Sequence, residues 1–245
     1  MPSLITREDV LAAVRSNGCT LRDAPEVLRN DREVVLAAVV QDGRALAWSS
    51  KMLRGDREVV LAAVARFGGA LAFASRTLRK DRGVVLAAMR WDGREFKFAS
   101  KTLRRDRDFT LAVVARFGYA LKHTSTTFHD DREIVRTAVA RCGYALASAS
   151  DTLRDDREIV LAAVARCGHA LASASEALRK DPSVVTTAID QNRKALLHAS
   201  AHLPRARYVR AGPTQTRLLF QYMPHPFALP DEIVAMHILP KCHLA

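Results

Sequence analysis

The amino-acid sequence predicts an all-α fold, an α-solenoid of eight 25-residue two-helix repeats with a short irregular C-terminal tail. Three residue types recur at this interval, in units that start near residues 6, 31, 56, 81, 106, 131, 156 and 181. Aspartate opens every unit except the first. Glycine follows twelve residues later in every unit except the last, and serine nineteen residues later in every unit except the first. Three aligned columns over eight periods indicate a tandem-repeat architecture.

Each unit is predicted to begin with a helix, as residues 156–180 (DREIVLAAVARCGHALASASEALRK) illustrate. Asp156 is a preferred N-cap residue, and Glu158 places negative charge at the positive end of the helix dipole. An apolar stripe of helical period follows at Ile159, Val160, Ala163 and Val164, and Leu161 is expected to line it as well. These signals predict a long helix of about eleven residues in every unit.

The glycine column is predicted to end these helices, because glycine adopts the left-handed conformation of a helix C-terminus without strain. Apolar residues then recur at Leu171, Ala174 and Leu178. Their spacing predicts a second, shorter helix, which gives way to a single turn after Ser175. Because a unit of this length cannot cover its own apolar stripe, each unit is expected to be stable only when it is stacked on its neighbours.

The repeats are predicted to fill residues 1–203, and a tail punctuated by six prolines fills residues 204–245. Two apolar segments of the tail, 218–223 and 233–239, need burial, and Pro230 precedes the second as a helix start. The tail is therefore expected either to cover the open end of the solenoid as a cap or to dock on a partner as an arm.

The composition indicates a folded, basic protein. The 245 residues are 49% hydrophobic and only 6% aromatic, which supplies enough small aliphatic side chains for packed helices. With 38 Lys and Arg against 26 Asp and Glu, the formal net charge is +12. Such a charge attracts anions, and a nucleic acid, an acidic protein and an anionic membrane face are all compatible with it.

The cysteines and the apolar segments bear on the cellular location. Cys142 and Cys167 occupy the same position of adjacent units. Equivalent atoms of packed helices lie about 8–10 Å apart, which is too far for a disulfide. No stretch approaches the roughly 18 apolar residues of a transmembrane segment, and the residues before Asp9 leave no room for a signal peptide. We therefore expect an intracellular protein in a reducing compartment, with the organelle left open.

The repeated motif resembles a known family. The motif consists of D-R-E-[IV]-V-L-A-A-V, a glycine after the helix, and A-L-x-x-A-S, and the unit at 56–80 (DREVVLAAVARFGGALAFASRTLRK) shows it in full. It resembles the repeats of the domain of unknown function 4116 family over residues 6–203. The resemblance implies a solenoid of small helices and supplies neither catalytic residues nor a biochemical role. The fourth and fifth units depart from the motif at Phe96, Phe109, Thr124 and Phe128.

Arginine also recurs with the period of the repeat, in two columns. The first follows the aspartate column and comprises Arg7, Arg32, Arg57, Arg82, Arg107, Arg132 and Arg157. The second precedes it and comprises Arg29, Arg54, Arg79, Arg104, Arg154 and Arg179, with His129 in the gap. Because Asp and Glu form parallel columns, one interpretation is a set of ion pairs between units. The other is a basic track along a phosphate backbone.

Three further columns supply candidate partner-binding residues. Arginines near the predicted helix end are Arg66, Arg116, Arg141 and Arg166, which either favour the negative end of the dipole or contact a ligand. The residue after the glycine varies from unit to unit, as it does in repeat proteins in which each unit recognises one part of a ligand. This column includes Arg44, Arg94, Tyr119 and Tyr144. An aromatic run at Trp48, Phe73 and Phe98 either stacks bases, anchors a protein or fills the groove between units.

Sequence motifs for an enzyme are lacking. The glycines occur singly, and neither a phosphate-binding loop nor a hydrolase or metalloprotease motif is present. His225, His237, Cys242 and His243 lie close together in the tail, but their spacing matches no metal-site template. We therefore expect no catalytic residue, no metal, no cofactor and no small-molecule substrate.

The expected function is that of a non-enzymatic macromolecular-interaction scaffold, or of a structural subunit in a larger protein assembly. A solenoid offers a long surface over which contacts with a protein partner are spread. The alternative is a basic repeat protein that binds RNA or another nucleic acid through its arginine columns. The oligomeric state remains open at this point.

Overall fold

The computed structural model describes residues 6–89, 93–199, 206–211 and 215–220. The chain divides into two compact parts, residues 1–200 and residues 201–245. The first part contains the helical repeats, and the described residues of the second part form two strands. None of the helices in the described residues has the length and apolar character of a membrane-spanning segment.

A long α-helix opens each of the eight units, and in units 2 to 8 an aspartate caps it as predicted. The Asp156 carboxylate accepts the backbone N–H groups of Glu158 and Ile159, and in unit 1 Thr6 and Asp9 form a capping box. The helices have ten residues each, except for seven in unit 4. Their bounds are Arg7–Ser16, Arg32–Gln41, Arg57–Arg66, Arg82–Ala88, Arg107–Arg116, Arg132–Arg141, Arg157–Arg166 and Pro182–Gln191.

The long helices do not end at a left-handed glycine, so that prediction is wrong for most units. In unit 7 the C-cap is Cys167, which has an extended backbone (φ −152°) and donates its N–H to the carbonyl of Ala163. Gly168 already belongs to the next helix. Among the described glycines only Gly93 has a positive φ, of 78°. An extended C-cap turns the chain here, and glycine must be present for another reason.

That reason is the close approach of neighbouring units. A Cβ atom added to Gly143 would lie 2.5 Å from the carbonyl oxygen of Ala163 and 2.8 Å from Cβ of Cys167, both in the next unit. Gly43 and Gly118 approach the equivalent alanine carbonyls just as closely. No side chain fits between these backbones, and the glycine column therefore sets the distance between units.

A second, shorter helix follows in each unit, as predicted, and it is a 3₁₀ helix rather than an α-helix. Two turns of this tighter helix present a narrow apolar stripe, such as Ala70 and Leu71, to the core. The bounds are Gly18–Asp23, Gly43–Trp48, Gly68–Phe73, Arg94–Phe98, Gly118–His123, Gly143–Ser148, Gly168–Ser173 and Arg193–His198.

A third, short helical turn closes units 1 to 7, and the serine column organises it. The Ser175 hydroxyl accepts the N–H of Leu178 (3.2 Å), and the Ser175 N–H donates to the carbonyl of Arg154 in the preceding unit (2.9 Å). The serine column thus links consecutive units through the backbone. The turns are Glu26–Arg29, Leu53–Gly55, Leu78–Lys80, Leu103–Arg105, Thr126–His129, Asp151–Arg154 and Leu178–Lys180.

The core consists of one face of each long helix together with the inward side of the 3₁₀ helix. In unit 7 Val164 and Leu171 are fully buried. Leu161 is only half-buried, so its placement on the buried stripe is wrong. Adjacent long helices pack on each other in units 1 to 4 and again in units 5 to 8. The stacked arrangement of the predicted solenoid is therefore present.

Units 4 and 5, which depart from the repeat motif, meet through aromatic side chains. Phe96 is fully buried, Phe109 is nearly so, and their ring centroids lie 6.1 Å apart. The Arg82 guanidinium lies over the Phe109 ring, 5.4 Å from its centroid. The two phenylalanines thus fill space beside the shortened helix of unit 4.

Two strands occur in the tail, where the sequence predicted irregular structure. β1 (Ala206–Ala211) and β2 (Gln215–Phe220) are antiparallel, with Ala206 opposite Phe220 in the register. Residues that favour strands, such as Tyr208 and Val209, indicated a strand in the sequence, but the prolines around them favoured an irregular segment. The segment 233–239, with its expected helix start at Pro230, lies outside the described residues.

We predict that Gly143→Ala lowers the free energy of unfolding by about 1–3 kcal/mol, because its methyl group collides with backbone atoms of the next unit. Gly55→Ala is the matched control: a Cβ there has no neighbour closer than 3.8 Å. Urea unfolding followed by circular dichroism measures both variants. Equal effects at the two positions would contradict the role assigned to the glycine column.

Candidate interaction surface

The first arginine column forms ion pairs between units, as one interpretation predicted. Arg107 Nε lies 2.9 Å from Asp131 Oδ2, and its Nη2 lies 2.7 Å from Glu133 Oε2. Each arginine thus reaches the N-cap aspartate of the following unit. The same contact is made by Arg7, Arg32, Arg57, Arg82, Arg132 and Arg157. The charge of this column is therefore matched by carboxylates along the array.

The N-cap aspartates are held in their charged form. The hydrogen bond from Arg7 is the largest cause that lowers the pKa of Asp31. For Asp106 the hydrogen bond from the backbone N–H of Phe109 is the largest cause that lowers the pKa, and the hydrogen bond from the Arg82 guanidinium is the next largest. Partial burial raises the pKa of four others, but backbone hydrogen bonds and arginine or serine partners outweigh it. These four are Asp56, Asp131, Asp156 and Asp181.

The second arginine column lies in the groove between a unit and the 3₁₀ helix of the next unit. Arg104 donates from Nε to the carbonyl of Ala99 and from Nη1 to the carbonyl of His123, both at 3.3 Å. Arg154 lines the equivalent groove beside Ser173. Other members have a buried Nε without a hydrogen-bond partner, namely Arg29, Arg54, Arg79 and Arg179. Arg104 is thus the member of this column whose guanidinium is seen to bond the backbone of the following unit.

The aromatic candidates recur every 25 residues near the end of the 3₁₀ helices, and His123 takes the equivalent position in unit 5, where its backbone carbonyl accepts from Arg104. Trp48 and Phe98 are half-buried and pack against the core. Phe73 keeps 37% of its surface exposed. The rings of Trp48 and Phe98 thus largely fill space between units rather than project as free platforms.

The variable column forms a second surface, where the long helices end and the 3₁₀ helices begin. Arg44 lies over the Phe67 ring (5.1 Å to the centroid), and Arg94 lies over the Tyr119 ring (5.5 Å), each time in the next unit. Tyr144 is 54% exposed, and a hydrogen bond with Cys167 raises its pKa. These side chains therefore extend from one unit to the next.

The four arginines of the helix-end column lie on this second surface. Each is the last residue of its long helix, where a cation favours the negative end of the dipole, and each is exposed: Arg66, Arg116, Arg141 and Arg166. Arg116 also lies over the Phe117 ring, 5.1 Å from the centroid. No carboxylate among the described residues pairs with them, so a role in binding stays compatible with their position.

Sequence reasoning missed a third set of exposed residues, on the third turns of the units. We call this set the short-turn edge. It is basic in units 2 to 4, at Lys51, Arg76, Lys80, Lys101 and Arg105. It is largely acidic in units 5 to 7, at Asp130, Asp151, Asp155 and Glu176. The sequence did contain a signal for this set, namely a change from basic to acidic residues at equivalent positions of successive units, but no single residue type recurs there.

Groups for metal chemistry do not converge in the part of the chain that the structure describes. No three His, Cys, Asp or Glu side chains come together there as metal ligands. Cys19, Cys142 and Cys167 are free thiols, and the Cys19 thiol donates to Asp42. The tail residues from His225 to His243 lie outside the described residues.

The fold defines an α-helical tandem-repeat protein, in which columns of equivalent side chains are exposed along the array. The chain belongs to the family described as domain of unknown function (DUF4116), whose model matches residues 6–54, 56–104, 106–154 and 156–203. Each match spans two of the 25-residue units, and the resemblance seen in the repeat motif is confirmed. Neither a curated protein nor a solved structure matches the chain.

We predict that acid destabilises the repeats through the N-cap aspartates. Their folded pKa is lowered, so their contribution is present above the unfolded pKa of about 3.9 and is lost as the pH falls through the lower folded value. The melting temperature should therefore fall steeply below about pH 4. Asp31→Asn keeps a capping side chain but removes this titration and the ion pair with Arg7. Because six other N-cap aspartates still titrate, the acid loss of that variant should be smaller than that of the unmodified chain but not abolished, and an acid loss as large as or larger than that of the unmodified chain would contradict the assignment.

Proposed function

We propose that the chain is a non-enzymatic scaffold that binds a protein partner, or a structural subunit of a larger protein assembly. The proposal covers neither a catalytic step nor a cofactor. It also includes an intracellular, reducing location, with which the free thiols of Cys19, Cys142 and Cys167 are compatible.

One observation carries the proposal: a variable, mostly polar column lies on a constant framework. Asp, Gly and Ser recur for reasons of capping, close packing and backbone hydrogen bonding. The position after the glycine instead changes from unit to unit, and Arg44, Arg94 and Tyr144 expose their side chains there. Solenoids distribute their contacts with a partner over several units in this manner.

Nucleic-acid binding remains the second candidate function, and the net charge of +12 favours it. The first arginine column counts against it, because carboxylates of the next unit neutralise those seven side chains. A phosphate track requires a row of cations free of such partners. The distribution of charge in this column therefore supports the protein partner.

Site-specific photo-crosslinking in cells that express the protein tests the proposal. A photoreactive residue replaces Tyr144, which is 54% exposed, or Arg166 on the same surface. Leu86, on the outer side of a long helix and 37% exposed, is the control position. We expect discrete, protease-sensitive adducts at Tyr144 and Arg166. Adducts that are lost on nuclease treatment would support nucleic acid instead, and adducts confined to Leu86 would contradict the assigned surface.

A further inference from the structure

The short-turn edge of units 2 to 4 carries an excess of positive charge. Residues 56–105 alone contain twelve Lys and Arg against five Asp and Glu, which accounts for +7 of the net charge of +12. Members of the second arginine column lie beside the exposed basic residues of the turns. Together these eight side chains are Lys51, Arg54, Arg76, Arg79, Lys80, Lys101, Arg104 and Arg105. We call them the basic edge.

The carboxylates nearest in sequence to the basic edge already have partners. Asp56, Asp81 and Asp106 directly follow its three turns in the sequence. Each of these aspartates caps a long helix and pairs with an arginine of the first column. No carboxylate among the described residues forms an ion pair with any member of the basic edge. Its positive charge therefore remains available to a ligand.

The repeat does not need basic residues at these positions. The equivalents of Lys80 and Arg105 in units 5 and 6 are Asp130 and Asp155. The Asp130 carboxylate accepts the hydroxyl of Ser150 (2.5 Å), and Asp155 accepts that of Ser175 in the same way. Acidic residues thus form an additional contact between units here. Lys80 and Arg105 in units 3 and 4 form no such hydrogen bond, so this contact between units gives no reason for a basic residue at either position.

The arginines of the basic edge are suited to carboxylates. Arg104 donates from Nε and Nη1 to two backbone carbonyls, and those two hydrogen bonds do not use its Nη2 group. A guanidinium fixed in this way binds a carboxylate through paired hydrogen bonds with little loss of side-chain entropy. The neighbouring rings of Trp48 and Phe98 are half-buried against the core. These two rings offer poor platforms for stacked bases, which sequence-tolerant binding of single strands requires, and of the three aromatic candidates only Phe73 is exposed, at 37%.

We propose that the basic edge binds an acidic polypeptide segment, one rich in Asp and Glu. The inference rests on the proposed scaffold function and names the chemistry of a partner for one surface. Because a single exposed ion pair contributes little, binding requires contacts spread over units 2 to 4. It is expected to weaken strongly as salt is added.

Fluorescence anisotropy with the full chain and a labelled Asp/Glu-rich peptide, at low and high salt, tests the proposal. The double variant Lys80→Asp/Arg105→Asp gives two turns of the basic edge the residue that units 5 and 6 carry, which accepts a serine hydroxyl of the next unit there, so its melting temperature should not fall. We expect its affinity for the peptide to fall roughly tenfold or more at low salt. The matched reverse variant, Asp130→Arg/Asp155→Lys, extends the basic edge and should bind the peptide several-fold more tightly.

Three results would overturn the inference. In the first, the unmodified chain does not bind the peptide. In the second, the folded double variant binds the peptide as tightly as the unmodified chain does. In the third, the unmodified chain binds a single-stranded RNA of equal charge more tightly than the peptide, and the double variant loses that binding. Crosslinks at Tyr144 distinguish a failure of the acidic-partner proposal from a failure of the scaffold function. If they persist while the peptide fails to bind, the acidic partner is wrong and the scaffold function stands.

Discussion

The close contact between the glycine of one unit and the alanine carbonyl of the next is the constraint on which the rest of the structure depends. Where Gly143 meets Ala163, no Cβ intervenes, and the backbones approach until their atoms touch. At this separation the Ser175 N–H reaches the carbonyl of Arg154, and the first arginine column reaches the next N-cap aspartate. Close packing, hydrogen bonding and ion pairing thus occur together at this junction of units 6 and 7.

The period, the N-caps and the buried face of the long helices could be predicted from the sequence, since each leaves a constant residue or an apolar stripe. The 3₁₀ form of the second helix could not, because six residues contain too few apolar positions to separate periods of 3.0 and 3.6. The role of the glycines was also hidden. A left-handed helix end and a close approach both select glycine, and only the extended backbone of Cys167 separates them.

The surfaces were less predictable than the fold. Ion pairing of the first arginine column was accessible, because Asp and Glu run parallel to it at the same period. The basic edge was not, because its signal is a reversal of charge between Lys80 and Asp155 at equivalent positions. The constant columns form the contacts that hold the units together, whereas the positions that vary do not form those contacts. In this protein, exposed and variable positions are therefore where specific contacts with a partner are expected.

Hydrogen exchange of the serine amides tests most directly whether the units are locked to one another. The N–H groups of Ser75, Ser125 and Ser175 are bonded only across the boundary to the preceding unit. The account predicts that they exchange as slowly as amides inside the long helices, such as that of Val164, because both open only when stacked units separate. Fast exchange of the serine amides while the helices stay protected would contradict the central claim.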